Sequence, residues 1–292
     1  MKQALAAATE KKRIAVVCAH DAHTIEAVSH AVRDGLVKPV LIGDESRIRT
    51  LLPEYGIAEA DVQIIQESDD SAAAQLAADM ARKGEADAVM KGGLETGTLM
   101  KVLVNKERGI NKGSVMNIIA VYDAPMYHKL LCLTDPGILI RPDLAQKEAQ
   151  IINCRDAMKA LGIDEPKVAL ISAVETINPK MQDTLDAAAM KAKGVPGCIL
   201  EGPISIDLAL SKEAAEVKRY DSPVAGDADL LVMPDMVSAN TASKMLTTLS
   251  DTQVCGVVLG ALVPVILVSR SASAVEKYMS IVLGALIGRS GI

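Results

Sequence analysis

The sequence predicts an α/β protein with two α/β domains, mainly parallel sheets and an interdomain cleft. Apolar strand-like runs alternate with Ala-rich amphipathic segments of helix length, a pattern typical of parallel sheets covered on both faces. The chain of 292 residues is long for one hydrophobic core and suits two domains that enclose a cleft. Hydrophobic residues make up 50% and charged residues 23% of the chain, which indicates a globular rather than a disordered protein.

Ligands in such folds bind at the carboxyl ends of the strands. The strand-like runs are RIAVVCA, KPVLIGD, DVQIIQ, ADAVMKG, KLLCLTD, KVALISA, GCILEGP, ADLLVMP and VPVILVS. Polar or turn-forming residues follow five of them: Lys91-Gly92, Thr134-Asp135, Glu201-Gly202-Pro203, Pro234-Asp235 and Ser269-Arg270.

The uncharged stretch from Val254 to Val268 is shorter than the ~18 residues that a membrane-spanning helix needs. It predicts a buried helix, a turn and then a buried strand. The boundary between the domains is expected near RPDLAQKEAQ, where Pro142 and Asp143 start a helix.

The clearest candidate site is the junction from Val263 to Tyr278, where an apolar strand stops at Ser269-Arg270 and a helix is expected to start near Ser271. The first N–H groups of a helix and its dipole favour an anion, and Arg270 adds a forked cation suited to phosphate. Glu276 lies about two helical turns further on and would face the same cleft.

A second junction, Ala86 to Met100, has the sequence ADAVMKGGLETGTLM. Lys91, Gly92 and Gly93 form a turn that would let the backbone approach a ligand, and Thr96 or Thr98 is a candidate helix N-cap. The order of residues differs from that of a Walker loop. An ordinary tight turn between a strand and a helix is the alternative, and by itself the pattern favours it.

Composition excludes several functions. Phe and Trp are absent, which argues against nucleic-acid binding by base stacking. The net charge of −6 means that any phosphate ligand is held by local cations and helix termini. The five cysteines are widely spaced and mostly in apolar runs, as buried free thiols in a reducing cytoplasm would be. No signal peptide and no membrane partner are expected.

Other candidates have simpler structural explanations. His20 and His23 fit an ordinary helix N-terminus better than a metal site. Asp207, after a Gly-Pro turn, would by itself be only an N-cap. Asn240 and Lys244 would share one helix face, and a solvated polar face explains that pair.

The order of these blocks resembles the phosphate acetyltransferase and phosphate butyryltransferase family, closer to the butyryl branch, from about Ile14 to the C-terminus. The blocks that carry the resemblance are MKGGLETGT with LMKVLVNKERGIN, LTDPGILIRPDLAQKEAQII, PKVALISAVETINPKMQDTLDA, EGPISIDLALSKEAAEVK, SPVAGDADLLVMPD and VPVILVSRSAS.

The resemblance implies reversible transfer of a short acyl group, butyryl or similar, between coenzyme A and inorganic phosphate. It implies no metal, no cofactor beyond these substrates, a fold like that of isocitrate and isopropylmalate dehydrogenases, and a homodimer or higher homo-oligomer. The first domain would comprise residues 1–142 with 258–292, and the second residues 143–257. Acetyl-CoA as the preferred substrate is the nearest alternative.

The resemblance also assigns the site. Ser269, Arg270 and Glu276 would be catalytic, although the acetyl branch has Asp at the position of Glu276. The phosphate- or coenzyme A-binding residues would be Lys91, Gly92, Gly93, Thr96, Thr98, Asp135, Asp207, Asn240 and Lys244. The chain departs from the butyryl branch at Ala239, Arg219 and Ala272.

Two other classes remain open. A metal- and NAD-dependent decarboxylating dehydrogenase would need a carboxylate cluster and an Arg-rich substrate loop, and neither is evident in the sequence. A non-catalytic coenzyme A-binding protein would bind coenzyme A without turning over any acyl phosphate.

Overall fold

A computed structural model describes residues 11–113, 115–268 and 272–288. Its strands are β1 (Lys12–Val17), β2 (Val37–Gly43), β3 (Gln63–Gln66), β4 (Ala88–Lys91), β5 (Asn117–Asp123), β6 (Leu131–Thr134), β7 (Lys167–Ile171), β8 (Ile199–Ile204), β9 (Leu230–Val232), β10 (Gln253–Leu259) and β11 (Val265–Ile266).

Its α-helices are α1 (Ala22–Arg33), α2 (Glu45–Glu54), α3 (Asp70–Lys83), α4 (Thr96–Leu103), α5 (Leu144–Lys159), α6 (Gln182–Lys193), α7 (Ile206–Leu210), α8 (Lys212–Lys218), α9 (Met236–Leu249) and α10 (Ala274–Ile287). None of these helices combines the length and the apolar character that crossing a bilayer would require.

The chain divides into two compact units, residues 1–114 with 255–292 and residues 115–254. In the first unit, the strand order is β3-β2-β1-β4-β11-β10. The pairs β1–β2, β1–β4, β2–β3 and β4–β11 are parallel, and β10–β11 is antiparallel. The predicted α/β class with mainly parallel sheets is confirmed.

In the second unit, the strand order is β5-β6-β9-β7-β8. All its pairs are parallel except β5–β6. Its core is apolar side chains from β5, β6, β7 and β9, together with the short helix α7. The fully buried Tyr122 is the largest of these side chains, which suits a chain that has no Phe or Trp.

The prediction of a helix at the start of the stretch Val254–Val268 was wrong. The segment forms β10, a turn at Gly260 with a φ of 83°, and β11. Val257 and Val258 are buried, and β-branched side chains favour a strand over a helix. Strand β5 was not predicted either, although its NIIAVYD run is also rich in β-branched residues.

Residues 115–142, which the sequence analysis assigned to the first domain, lie in the second compact unit. The reason is strand pairing, since β5 pairs with β6 and β6 pairs with β9. The predicted helix start after Pro142 is confirmed. Asp143 caps α5 and forms a reciprocal capping box with Gln146.

Candidate active site

A cavity of about 390 Å³ lies in the first compact unit, beside the loop that follows β4. It is lined by Asp21, His23, Thr24, Met90, Lys91, Gly92, Gly93, Val268 and Lys277. Three of the predicted binding residues, Lys91, Gly92 and Gly93, are therefore brought together at one cavity. Sites for small molecules commonly have volumes of about 300 to 1,000 Å³.

Lys91 is the last residue of β4 and is only 9% exposed. Its Nζ atom donates to the carbonyl oxygens of Gly92 at 3.2 Å and Leu94 at 3.0 Å. These carbonyl dipoles hold the ammonium group in the loop, so its position is fixed before any ligand arrives. A fixed cation in a cavity wall is suited to binding an anion.

Gly92 and Gly93 pack this loop against the end of β1. Their N–H groups donate to the carbonyl oxygens of Val17 at 2.8 Å and Cys18 at 2.9 Å. A Cβ atom on Gly92 would lie 2.5 Å from the Val17 oxygen and 2.6 Å from the Cys18 oxygen. The absence of a side chain at Gly92 therefore serves a close backbone approach, which places the loop at the cavity.

The two threonines of this junction do not cap the helix. α4 begins at Thr96, its N-cap position is Glu95, and no side chain caps it. The prediction that Thr96 or Thr98 is the N-cap was therefore wrong, because the Gly-rich turn is one residue shorter than the pattern suggested. Both threonines lie in the first turn of α4, and neither is among the residues found to line the cavity.

Three further cavity residues were not predicted from the sequence: Asp21, Thr24 and Lys277. Asp21 caps α1, and its carboxylate accepts from the Thr24 N–H at 3.0 Å and the Thr24 hydroxyl at 2.5 Å. The segment HDAHT had been identified as a helix N-terminus, but nothing in it signalled a cavity. Lys277 follows Glu276 in the first turns of α10.

Ser269 and Arg270, the predicted catalytic pair, lie outside the described residues. Val268 directly precedes them and lines the cavity. α10 begins at Ala274 with Ser273 as its N-cap, rather than near Ser271 as predicted. The hydroxyl of Ser273 explains the later start, because it accepts from the Glu276 N–H at 3.1 Å.

Glu276 is half-buried in the first turn of α10. Within the described ranges, its neighbour Lys277 lines the cavity and Glu276 does not. Burial, followed by the charge of Glu276, raises the pKa of the Cys255 thiol to about 12. The charge of Glu276 therefore contributes to the environment of Cys255 in β10.

The remaining predicted residues lie in the second unit. Asp135 is 3% exposed, and its carboxylate accepts from the N–H groups of Ile118 at 3.3 Å, Gly137 at 3.0 Å, Ile138 at 3.1 Å and Leu139 at 2.9 Å. Burial raises the pKa of Asp135, against the opposing effect of these hydrogen bonds. The carboxylate thus organises the loop after β6.

Asn240 supports the same loop from α9, because its side-chain amide donates to the Pro136 carbonyl oxygen at 2.9 Å. Lys244 lies four residues further along α9. Asp207, in α7, forms an ion pair of 3.2 Å with Lys218. Asp135 and Asn240 therefore support one loop, whereas Asp207 belongs to a separate, exposed ion pair and Lys244 shows neither kind of contact in the described ranges.

The buried thiols are poor nucleophiles. Burial and a hydrogen bond to Asp70 raise the pKa of Cys18 to about 12, and burial raises the pKa of Cys154 to about 12. A thiol needs to ionise to attack a carbonyl carbon. The raised pKa values therefore disfavour Cys18 and Cys154 as nucleophiles.

Known proteins resemble this chain along most of its length. Residues 61–285 match the family model described as "Phosphate acetyl/butaryl transferase". A phosphate acetyltransferase of Thermotoga maritima is 39% identical over 279 residues, which cover 94% of this chain and 95% of the relative. A phosphate butyryltransferase of Clostridium acetobutylicum is also 39% identical, over 282 residues that cover 95% of this chain and 94% of the relative.

The fold comparison agrees. A crystal structure of a branched-chain phosphotransacylase from Enterococcus faecalis superposes with a TM-score of 0.86 at 28% identity. The superposition covers 94% of this chain and 98% of the other. The motifs, the cavity-lining loop and these matches lead to the same conclusion: the chain belongs to the phosphate acetyltransferase and phosphate butyryltransferase family of acyltransferases.

Proposed function

We propose that the protein catalyses the reversible transfer of a short acyl group between coenzyme A and inorganic phosphate. The observation that carries this proposal is the family match over residues 61–285, which includes the Lys91 loop and Glu276. The cavity beside Lys91 supports it, because a cation held in place in a concave site suits a phosphate-bearing substrate.

In the forward direction, a phosphate oxygen attacks the thioester carbonyl carbon, and the carbonyl oxygen gains negative charge. The C–S bond then breaks, and coenzyme A leaves as a thiolate that takes up a proton. Fixed donors stabilise such an oxyanion by a few kcal/mol each, about 3 kcal/mol for one donor. We assign this role to Arg270, with Ser269 as a hydrogen-bond donor, on the family resemblance of VSRSAS.

In the reverse direction, coenzyme A attacks the acyl phosphate as a thiolate. A free thiol has a pKa of about 8.5, so most of it is protonated at neutral pH and a base accelerates the attack. Glu276 is our candidate for that base. The positive charge of Lys91 would stabilise both the thiolate and the phosphate, because each of them is an anion.

Butyryl-CoA is the substrate that we propose as preferred, with acetyl-CoA as the alternative. The relatives with these two activities are equally identical to the chain, at 39%. An aliphatic pocket separates substrates that differ by one methylene by only about 1 to 3 kcal/mol. A graded preference among short chains is therefore expected rather than strict selection.

The proposed reaction needs no metal ion, so activity is expected to persist in EDTA. We place the enzyme in the cytoplasm, and the five free cysteines support that placement. We also propose a homo-oligomer, which light scattering of the purified protein would test.

The decisive assay measures thiol release from acetyl-, propionyl-, butyryl- and isobutyryl-CoA, each with phosphate and without it. The proposal expects phosphate-dependent release, fastest with a four-carbon chain. A protein that binds coenzyme A but releases no thiol from any of these substrates would instead be a non-catalytic coenzyme A-binding protein.

A further inference from the structure

Lys277 has no role in the sequence analysis, and the structure gives it an unusual setting. It lies in the first turns of α10 and lines the same cavity as Lys91. Within the described part of the chain, the Lys277 ammonium group has no hydrogen-bond or ion-pair partner. An ammonium group that lines a concave site without a counter-ion attracts an anionic ligand.

The charges of the cavity wall point in the same direction. Lys91 and Lys277 contribute two cations, and the one carboxylate found in this lining is that of Asp21. Asp21 already accepts two hydrogen bonds from Thr24. Leaving His23 aside, the charged side chains found in the described wall are two lysines and one aspartate, in a protein whose net charge is −6. This excess of cations suits an anionic ligand.

We propose that Lys277 and Lys91 together bind a phosphate group in this cavity. Lysine binds phosphate as a point charge, so two lysines on different elements provide attraction from two directions. The bound group is either inorganic phosphate or a phosphate of coenzyme A, which share this chemistry. The identity of the ligand rests on the proposed function. The conclusion that the ligand is an anion rests on the cavity alone.

The test uses Lys277→Met, which removes the charge and keeps a long apolar side chain, so the fold of α10 is preserved. Lys277→Arg keeps the charge. Lys83→Met is the matched control, because Lys83 is an exposed residue at the end of α3 in the same unit and outside the cavity lining. Calorimetry would measure the binding of inorganic phosphate, coenzyme A and 3′-dephospho-coenzyme A to each folded protein.

We expect Lys277→Met to weaken binding of one phosphate-bearing ligand by about 10-fold or more, as for the loss of a hydrogen bond to a charged group. Lys277→Arg should restore most of it, and Lys83→Met should change nothing. Weakening confined to inorganic phosphate assigns the site to the acceptor. Weakened coenzyme A binding, with the dephospho form unaffected, assigns it to the 3′-phosphate, and equal weakening of both forms assigns it to the diphosphate.

Affinities for all three ligands within twofold of the wild-type values in folded Lys277→Met would overturn the inference. The same measurements separate it from the proposed function. If the wild-type protein binds these ligands through Lys277 but releases no thiol from acyl-CoA, the phosphate site is supported and the proposed acyltransferase activity is contradicted.

Discussion

At the scale of single residues, the Lys91 loop shows how backbone carbonyl oxygens can hold a charged side chain in place. The Lys91 ammonium group is held by two carbonyl oxygens, and the loop is held by the backbone contacts of Gly92 and Gly93. Carbonyl dipoles orient the ammonium group without removing its charge.

The first prediction concerns Gly92. Gly92→Ala places a methyl group 2.5 Å from the Val17 carbonyl oxygen, so the loop or β1 has to move. Overpacking of this kind costs about 1 to 3 kcal/mol, and thermal unfolding should show a lower midpoint together with weaker phosphate binding.

Gly97→Ala is the matched control, because a Cβ atom at Gly97 meets nothing within 4 Å and the residue lies inside α4. It should be neutral, or stabilising by up to about 1 kcal/mol. Equal stability of the two variants would contradict the packing role of Gly92.

The second prediction concerns Arg270. If its guanidinium group stabilises the phosphoryl group and the developing oxyanion, Arg270→Ala should lower kcat by about 100-fold or more. Arg270→Lys should recover little, because a point charge does not reproduce the planar fork. Steady-state kinetics of the folded variants measure both effects. A kcat and a phosphate KM near the wild-type values for Arg270→Ala would show that Arg270 is not catalytic.

Local motifs gave part of the site from the sequence. Lys91 and the two glycines after it were predicted as binding residues through the family resemblance, because the pattern of a strand, a Gly pair and a helix by itself favours an ordinary tight turn. Lys277 was missed because a single lysine in a helix is usually a solvated side chain. Only the pairing of β1 and β4, distant in sequence, brings the Lys91 loop to the end of β1.

At the scale of elements, a group of ion pairs ties β7 to the chain that precedes β6 and β9. Asp227 accepts from Lys167 and His128, and Lys129 lies 2.9 Å from the same carboxylate. Burial of Asp227 raises its pKa, but the hydrogen bonds from Lys167, His128 and Lys129 outweigh burial and hold the pKa well below its ordinary value.

The third prediction follows from the sign of that shift. Because the pKa of Asp227 is lower in the folded than in the unfolded protein, its stabilisation is complete above the unfolded value of about 3.9 and is lost as the pH falls below it. Urea unfolding at pH 7 and pH 3 should show that Asp227→Asn destabilises the protein by about 1 kcal/mol at pH 7, and by less at pH 3.

Asp251→Asn is the control, because Asp251 is exposed and no ion pair of its side chain is found in the described ranges. A loss of stability for Asp227→Asn that is the same at both pH values would indicate a packing effect rather than this ionisation.

Most strands were predictable because a parallel sheet covered on both faces requires uninterrupted apolar runs. The hairpin of β10 and β11 was not, since an uncharged run of its length suits a buried helix equally well. Its valines and Gly260 were the available signals. Strand β5 was also hard to predict, because it begins with a polar residue, Asn117. Asn117 is buried in the fold, where it forms hydrogen bonds with the side chains of Thr134 and Asn153, which are distant in sequence.

At the scale of the whole molecule, the net charge of the protein has to be reconciled with the charge of the proposed substrates. The chain carries a net charge of −6, and yet the proposed substrates are anions. Under the proposal made above, Lys91 and Lys277 at one cavity supply the local positive charge that such substrates need. The sequence alone could predict the α/β class and the family, but not which lysines share a cavity, because that depends on the order of strands in the sheet.

The central claim is that inorganic phosphate is the acyl acceptor. The most direct measurement follows thiol release from butyryl-CoA while phosphate is varied, and traps the acyl phosphate with hydroxylamine as the hydroxamate in the same reaction. We expect a rate that saturates with phosphate and falls to background without it, with one acyl phosphate formed for each thiol released. Thiol release that proceeds at full rate without phosphate, with no acyl phosphate formed, would contradict it.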